Sequence, residues 1–121
     1  MDEQIVVELE TDYLPKSEYV VKCEGFYIDN SPKFTIFDFN GMPQVTITVN
    51  LFDEATLCDM GLADRTQVWV KNWSENKGIL RACITAQLLK SPHEAMTLNY
   101  GNTACLCRLG TLRKLMIGRP A

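Results

Sequence analysis

One histidine, His93, stands among 121 residues. A Ser–His or Cys–His catalytic pair would have to use it. It follows Ser91-Pro92, which reads as loop, and no glycine-flanked nucleophile elbow or local cysteine signature accompanies it. A solvent-exposed loop histidine is the expectation. The seven glycines are scattered. None forms G-x-x-x-x-G-K or G-x-G-x-x-G, so no phosphate-cradling loop is expected. No uncharged apolar run approaches the roughly 20 residues that cross a bilayer. Met1-Asp2-Glu3 is acidic where a secretory leader is basic, and no apolar stretch follows it. Fifteen carboxylates are present, but without a cleft to locate them no acid–base pair can be singled out. These absences lead to the expectation of a non-enzymatic chain with no cofactor and no bound metal. It would be neither exported nor membrane-inserted, and would work in the cytoplasm.

The five cysteines, Cys23, Cys58, Cys83, Cys105 and Cys107, are odd in number and match no disulfide framework. Scattered thiols suit a reducing compartment, so five free thiols are expected. In a strand, Cys105-Leu106-Cys107 places both sulfurs on one face. A zinc site would need two further ligands at recognisable spacing, and none is present. These two are expected to pack as small apolar side chains.

What is present is ordinary globular composition, 46% hydrophobic and 22% charged. A chain of this length buries about two-thirds of its unfolded surface without staples, and one domain over residues 1–121 is expected. Ile5–Leu9 and Tyr19–Ile28 read as strands, with a loop at Tyr13–Ser17 between them. Lys33–Phe39 is rich in aromatic and β-branched residues. Gln44–Leu51 alternates apolar and polar, which aligns Val45, Ile47, Val49 and Leu51 on one face. Asn40-Gly41 between the two runs supplies hairpin turn chemistry. This hairpin should be central to the sheet. Asp53 can cap a short helical turn ending at Gly61. Gln67–Lys71 is a further strand. Ser74 can cap a helix over about 75–89, with Ile79, Leu80, Cys83, Ile84 and Leu88 on one stripe and Ser91-Pro92 as its stop. Two short strands follow near 95–100 and 103–109. Residues 111–121 show no periodicity and read as a basic tail, free to move. Strands first and one late helix give an α+β fold: a mostly antiparallel twisted sheet of about four to six strands, with one main α-helix packed on one face.

The net charge of −3 hides a division. Residues 1–64 carry thirteen acids and three lysines, a balance of −10, whereas residues 65–121 carry two acids and nine bases, a balance of +7. Either the halves neutralise each other once folded, or one of them faces a charged partner. Arg108, Arg113, Lys114 and Arg119 form a basic C-terminal run able to contact phosphates, although no reader motif accompanies it. Trp69 and Trp73 flank the step from strand to helix. Trp69 is expected in the core. Trp73 is either a cover for the strand–helix corner or an interface anchor.

Two stretches, Asn40-Gly41-Met42-Pro43 running into Thr46–Leu51, and Val70–Leu80 (VKNWSENKGIL), resemble in order and spacing a family of small bacterial proteins of unknown function carried on phages and mobile elements. That family reads much like a "TVNL" strand followed by "IKDYSENEGML". Here Asn72 and Trp73 stand in place of an acid and a tyrosine, and Lys77 in place of a glutamate. The resemblance spans residues 19–109 and implies a phage or mobile-element accessory protein in a bacterial host cell. Such proteins act by binding host proteins. The expected role is inhibition of a bacterial defence complex, for example a CRISPR effector, whose basic nucleic-acid channel the acidic half would meet. The candidate contacts are Asp2, Glu8, Glu10, Asp12, Asp29, Asp38 and Trp73. Strand-edge pairing or a homodimer is a further expectation. The alternative is a nucleic-acid-binding accessory protein using Arg108, Arg113, Lys114 and Arg119.

Overall fold

The computed structural model describes residues 4–27, 30–49, 66–98 and 101–116. The fold is α+β, with mostly antiparallel sheet and one main helix. Strands β1 (Ile5–Leu9), β2 (Ser17–Phe26), β3 (Pro32–Phe37) and β4 (Pro43–Thr46) form a four-stranded antiparallel sheet in sequence order. Strands β5 (Gln67–Val70), β6 (Leu89–Thr97) and β7 (Thr103–Leu109) form a second antiparallel sheet, in the order β5-β7-β6. The expected single sheet is therefore two.

The hairpin at Asn40-Gly41 forms as expected, and β4 closes the first sheet. Its central role comes from residues 47–49, immediately after β4. Ile47 N–H donates to Phe34 C=O at 2.9 Å on one side, while Lys71 N–H donates to Ile47 C=O and Val49 N–H to Trp69 C=O, both at 3.0 Å, on the other. Thr48 bridges antiparallel to Val70. This short segment thus stitches the two sheets together. Alternation holds here: Val45 and Ile47 are buried in the core. Thr48 is buried too, its hydroxyl accepting from Phe34 N–H at 3.2 Å. Leu51, and the helical turn expected at Asp53, lie outside the described residues.

Asp38 shapes the hairpin turn. Its Oδ1 accepts from the N–H groups of Asn40 and Met42, both at 2.9 Å, and its Oδ2 from Gln44 Nε2 at 3.1 Å. Gly41 takes φ +83°, the left-handed conformation that glycine reaches without Cβ strain.

One contiguous core lies against both sheets. Leu9, Val21, Phe34, Ile36 and Ile47 line it from the first, and Val68, Val70, Cys107 and Leu109 from the second. Leu14 plugs it from the β1–β2 loop, where Thr11 Oγ1 accepts from Leu14 N–H at 2.9 Å and from Tyr13 N–H at 3.2 Å.

The helix is shorter than its apolar stripe suggests. A 3-10 turn, η1 (Ser74–Asn76), precedes α1 (Ile79–Thr85). Gly78 at φ +88° separates them. Asn72 Oδ1 accepts from Leu80 N–H at 3.0 Å, capping the helix from outside its own turn. At the other end Gln87 takes φ +63°; Leu88 N–H donates to Cys83 C=O at 2.9 Å and Gln87 N–H to Ile84 C=O at 3.0 Å. That is the Schellman pair of hydrogen bonds, and it stops the helix well before Ser91-Pro92. Leu88 belongs to the apolar stripe yet sits in the turn leading into β6. Proline is tolerated in β6 because β6 is an edge strand, and the register shifts on either side of Pro92. His93 is accordingly on an exposed strand, not in a loop.

Residues 111–116, expected in a basic tail, form a 3-10 helix, η2 (Thr111–Met116), with Leu112 and Leu115 buried. Three residues per turn put both leucines on one side. The step into η2 is tight: a Cβ on Gly110 would lie 2.4 Å from Gln87 C=O. Trp69 is half-buried rather than core, since Val68 and Val70 take the inward positions of β5.

Candidate functional site

Three of the expected acidic contacts come together. Glu8 and Glu10 are exposed at the end of β1, and Asp12 is exposed in the following loop. They line an open cleft of about 790 Å³ between that loop and α1, facing Lys16, Lys77 and Arg81. The division of charge along the sequence is partly folded back on itself here. The facing groups nevertheless do not pair: among the described residues the one ion pair within 4.0 Å is Lys71–Glu75, at 2.5 Å. That pairing, with Glu75's own backbone and Ser74, lowers the Glu75 carboxyl to about 2.

The register adds a carboxylate that the sequence alone does not single out. Glu18, on β2, lies directly opposite Glu8 on β1. Both are exposed, and like charges at directly opposed positions repel. Sequence alternation hints that Glu18 points outward, but the pairing with Glu8 depends on how the β1–β2 loop closes.

The other expected contacts separate. Asp38 is half-buried at the far hairpin, its carboxylate engaged by the turn, so it is a positioning residue for the hairpin rather than a free contact. Its charge, after burial, helps raise the phenol of Tyr19, which donates to Pro15 C=O at 2.5 Å. Trp73 is half-buried in extended backbone before η1, and its C=O accepts from Asn76 N–H. Asn72, not Trp73, lines the cleft. Asp2 and Asp29 lie outside the described residues.

Of the basic run, Arg108 is exposed on β7 opposite Gln67, and Arg113 and Lys114 are exposed on η2. Arg119 lies outside the described residues. The sulfurs of Cys105 and Cys107 share the core face of β7, as expected from the C-x-C spacing. Burial pushes the thiols of Cys83 and Cys107 up to about 12, so both are neutral at physiological pH. Among the described residues, no cluster of three or more His, Cys, Asp or Glu side chains is arranged to hold a metal ion. No helix among them is long and apolar enough to cross a membrane.

Comparison of the chain with family models, with curated proteins and with solved structures returns no match.

Proposed function

We propose that the chain is a non-enzymatic binding protein whose acidic end, Glu8, Glu10, Asp12 and Glu18, docks on a basic surface of a host protein complex. The observation that carries this reading is the exposed Glu8–Glu18 opposition. The free chain bears a repulsion there that none of its own cations relieves by an ion pair among the described residues. An external row of lysines or arginines would convert it into attraction and would steer encounter as well. Nucleic-acid channels are dense arrays of such cations, because they must neutralise phosphates. Together with the resemblance to phage and mobile-element proteins, this favours inhibition of a bacterial defence complex, of which a CRISPR effector is one kind, by occupation of its nucleic-acid path. The work would then be done in the cytoplasm of the bacterial host.

The test is a binding titration against purified effector complexes, with and without their nucleic acid. Wild type should bind and be displaced by competing DNA. The Glu8→Lys/Glu18→Lys variant should bind about tenfold or more weakly. Binding that ignores these charges would overturn the reading.

The rival is nucleic-acid contact through Arg108, Arg113 and Lys114. It gains from one observation: Arg113 and Lys114 are held on a helix anchored by Leu112 and Leu115. Salt-dependent affinity for bare DNA or RNA, lost in Arg113→Gln/Lys114→Gln, would select it.

A further inference from the structure

The outer face of the first sheet is banded across its strands. One row away from the core holds Glu8 and Glu18. The next holds Val6, Val20, Phe37 and Pro43. The row beyond holds Lys22, Thr35 and Thr46. Acid, apolar and basic-hydroxyl bands therefore follow one another at two-residue steps, about 7 Å apart. The basic band is a fixed feature: Thr35 and Thr46 hydroxyls lie 3.2 Å apart, and Lys22 Nζ sits 5.5 Å from the centre of the Phe37 ring. The apolar band is open at its two ends, where Val6 is 47% exposed and Pro43 is exposed, and close-packed at Val20, 7% exposed; Thr35 in the next row is 2% exposed. Among the described residues neither Glu8, Glu18 nor Lys22 has an ion-pair partner.

Such banding is complementary to itself under one rotation. A two-fold axis lying in the plane of the face, along the apolar band, lays that band on its own copy. The same rotation turns the acid band of one chain onto the Lys22 band of the other. We infer that this face is the interface of a homodimer, with two sheets packed face to face and a second copy of this chain as the occupant. Aligned packing of two sheets is a common geometry, and the interface would be isologous. An unrelated partner would need the same three bands in reverse order; a second copy supplies them by symmetry. Four strands and four residue steps span about 15 Å by 14 Å. That is small beside the roughly 800 Å² per partner of a standard interface, so the dimer is weak and depends on concentration. The inference does not rest on the docking role proposed above. Because both use Glu8 and Glu18, self-association would compete with docking.

Sedimentation velocity on the purified chain, from low micromolar to millimolar concentration, tests it directly. Wild type should move from monomer to dimer, at higher concentration in high salt. Val6→Asp, at an already exposed position, should be monomeric throughout. Lys22→Glu makes both flanking bands acidic, and Glu8→Lys/Glu18→Lys makes both basic; each alone should be monomeric. Mixed in equal amounts, the two should form a one-to-one heterodimer, which misfolded variants would not do. A wild type monomeric at every concentration would overturn the inference. So would dimers of Val6→Asp or Lys22→Glu as strong as wild type's, or a mixture that stays monomeric.

Discussion

The two sheets share a core but present different outer faces. On the first, the outward Val6 at the β1 edge is 47% exposed, although Val20 and Thr35 on the inner strands are 7% and 2% exposed. On the second, the outward Ala104 and Leu106 of β7 are 0% and 7% exposed, with Trp69 directly opposite Leu106. The edges differ. Edge strand β6 carries Pro92 between two register shifts, both of which discourage further strand pairing. Edge strand β1 pairs with β2 without a break in register from Ile5 to Leu9. The inner strands of both sheets are thus shielded on their outward side, and the contrast lies at the edges: an unbroken, open β1 on the first sheet and a proline-interrupted β6 on the second. The inner linings differ as well: β1–β4 supply mainly aromatic and aliphatic side chains with one thiol, Cys23, whereas β7 and α1 supply three, Cys105, Cys107 and Cys83.

The largest effect should come from breaking the joint between the sheets. Ile47→Ala removes a fully buried side chain from the segment bonded to both β3 and β5, and should cost about 2–5 kcal/mol in urea denaturation. If the loss stayed near that of an exposed site, the sheets would be energetically separate. Gly110→Ala strikes the step from β7 into η2, beside the turn that leads into β6. The new methyl would meet backbone oxygen at Gln87, which cannot swing aside as a side chain can. A loss of about 1–3 kcal/mol is expected, read as a lower midpoint at unchanged denaturant slope.

Alkaline titration reads the thiols on the side of the second sheet and the helix. Cys83 and Cys107 stay neutral in the fold up to about 12, whereas an unfolded thiol ionises near 9. Stability is therefore full below pH 9 and falls as pH rises, until the folded thiols ionise as well. Each thiol contributes about 1.4 kcal/mol per pH unit across that window at most. Cys83→Ala and Cys107→Ala should flatten the slope, and a variant as pH-sensitive as wild type would contradict the assignment. Native thiol labelling should reach the half-buried Cys105 before either.

The smallest effect is acidic. The Glu75 carboxyl, lowered to about 2, stabilises above the unfolded value near 4.5, and that contribution is lost as pH falls through 2. With the side chain 41% exposed, less than about 1 kcal/mol is at stake, and Lys71→Ala should remove the largest part of the difference, leaving what the Glu75 backbone and Ser74 contribute.

The parts of the fold legible in the sequence are those decided by local chemistry. The alternation of residues 44–49 and the turn at Asn40-Gly41 specify a hairpin whatever surrounds it. The helix reads too long because its stripe of apolar residues continues through Leu88, while the stop is a left-handed Gln87, a residue with no sequence flag for that conformation. His93 reads as loop because Ser91-Pro92 looks like a break, and only the sheet order reveals an edge strand on which proline is harmless. Leu112 and Leu115 have a period of three, too brief to register as a pattern. At the candidate site, Glu8, Glu10 and Asp12 can be picked as acids, but Glu18, Lys16, Lys77 and Arg81 join them only through tertiary contacts. Asp38 reads like any surface acid, and its turn bonds withdraw it.

The stitched segment 47–49 also implies an order of assembly. The β3–β4 hairpin closes over a handful of residues and can form early, on the microsecond scale of isolated hairpins. Pairing Val49 with Trp69 must close about twenty more residues, at roughly 2–3 kcal/mol of chain entropy. Once the hairpin exists, its continuation offers β5 an exposed strand edge at fixed register, so the second sheet is templated by the first. Substitutions in Phe34–Ile47 should then slow folding, whereas those in β6 should chiefly speed unfolding. A chain that builds the first sheet before the second exposes the banded surface during folding. That surface alternates in charge along the strands, which limits wrong pairings at the stage when the chain is most vulnerable to them.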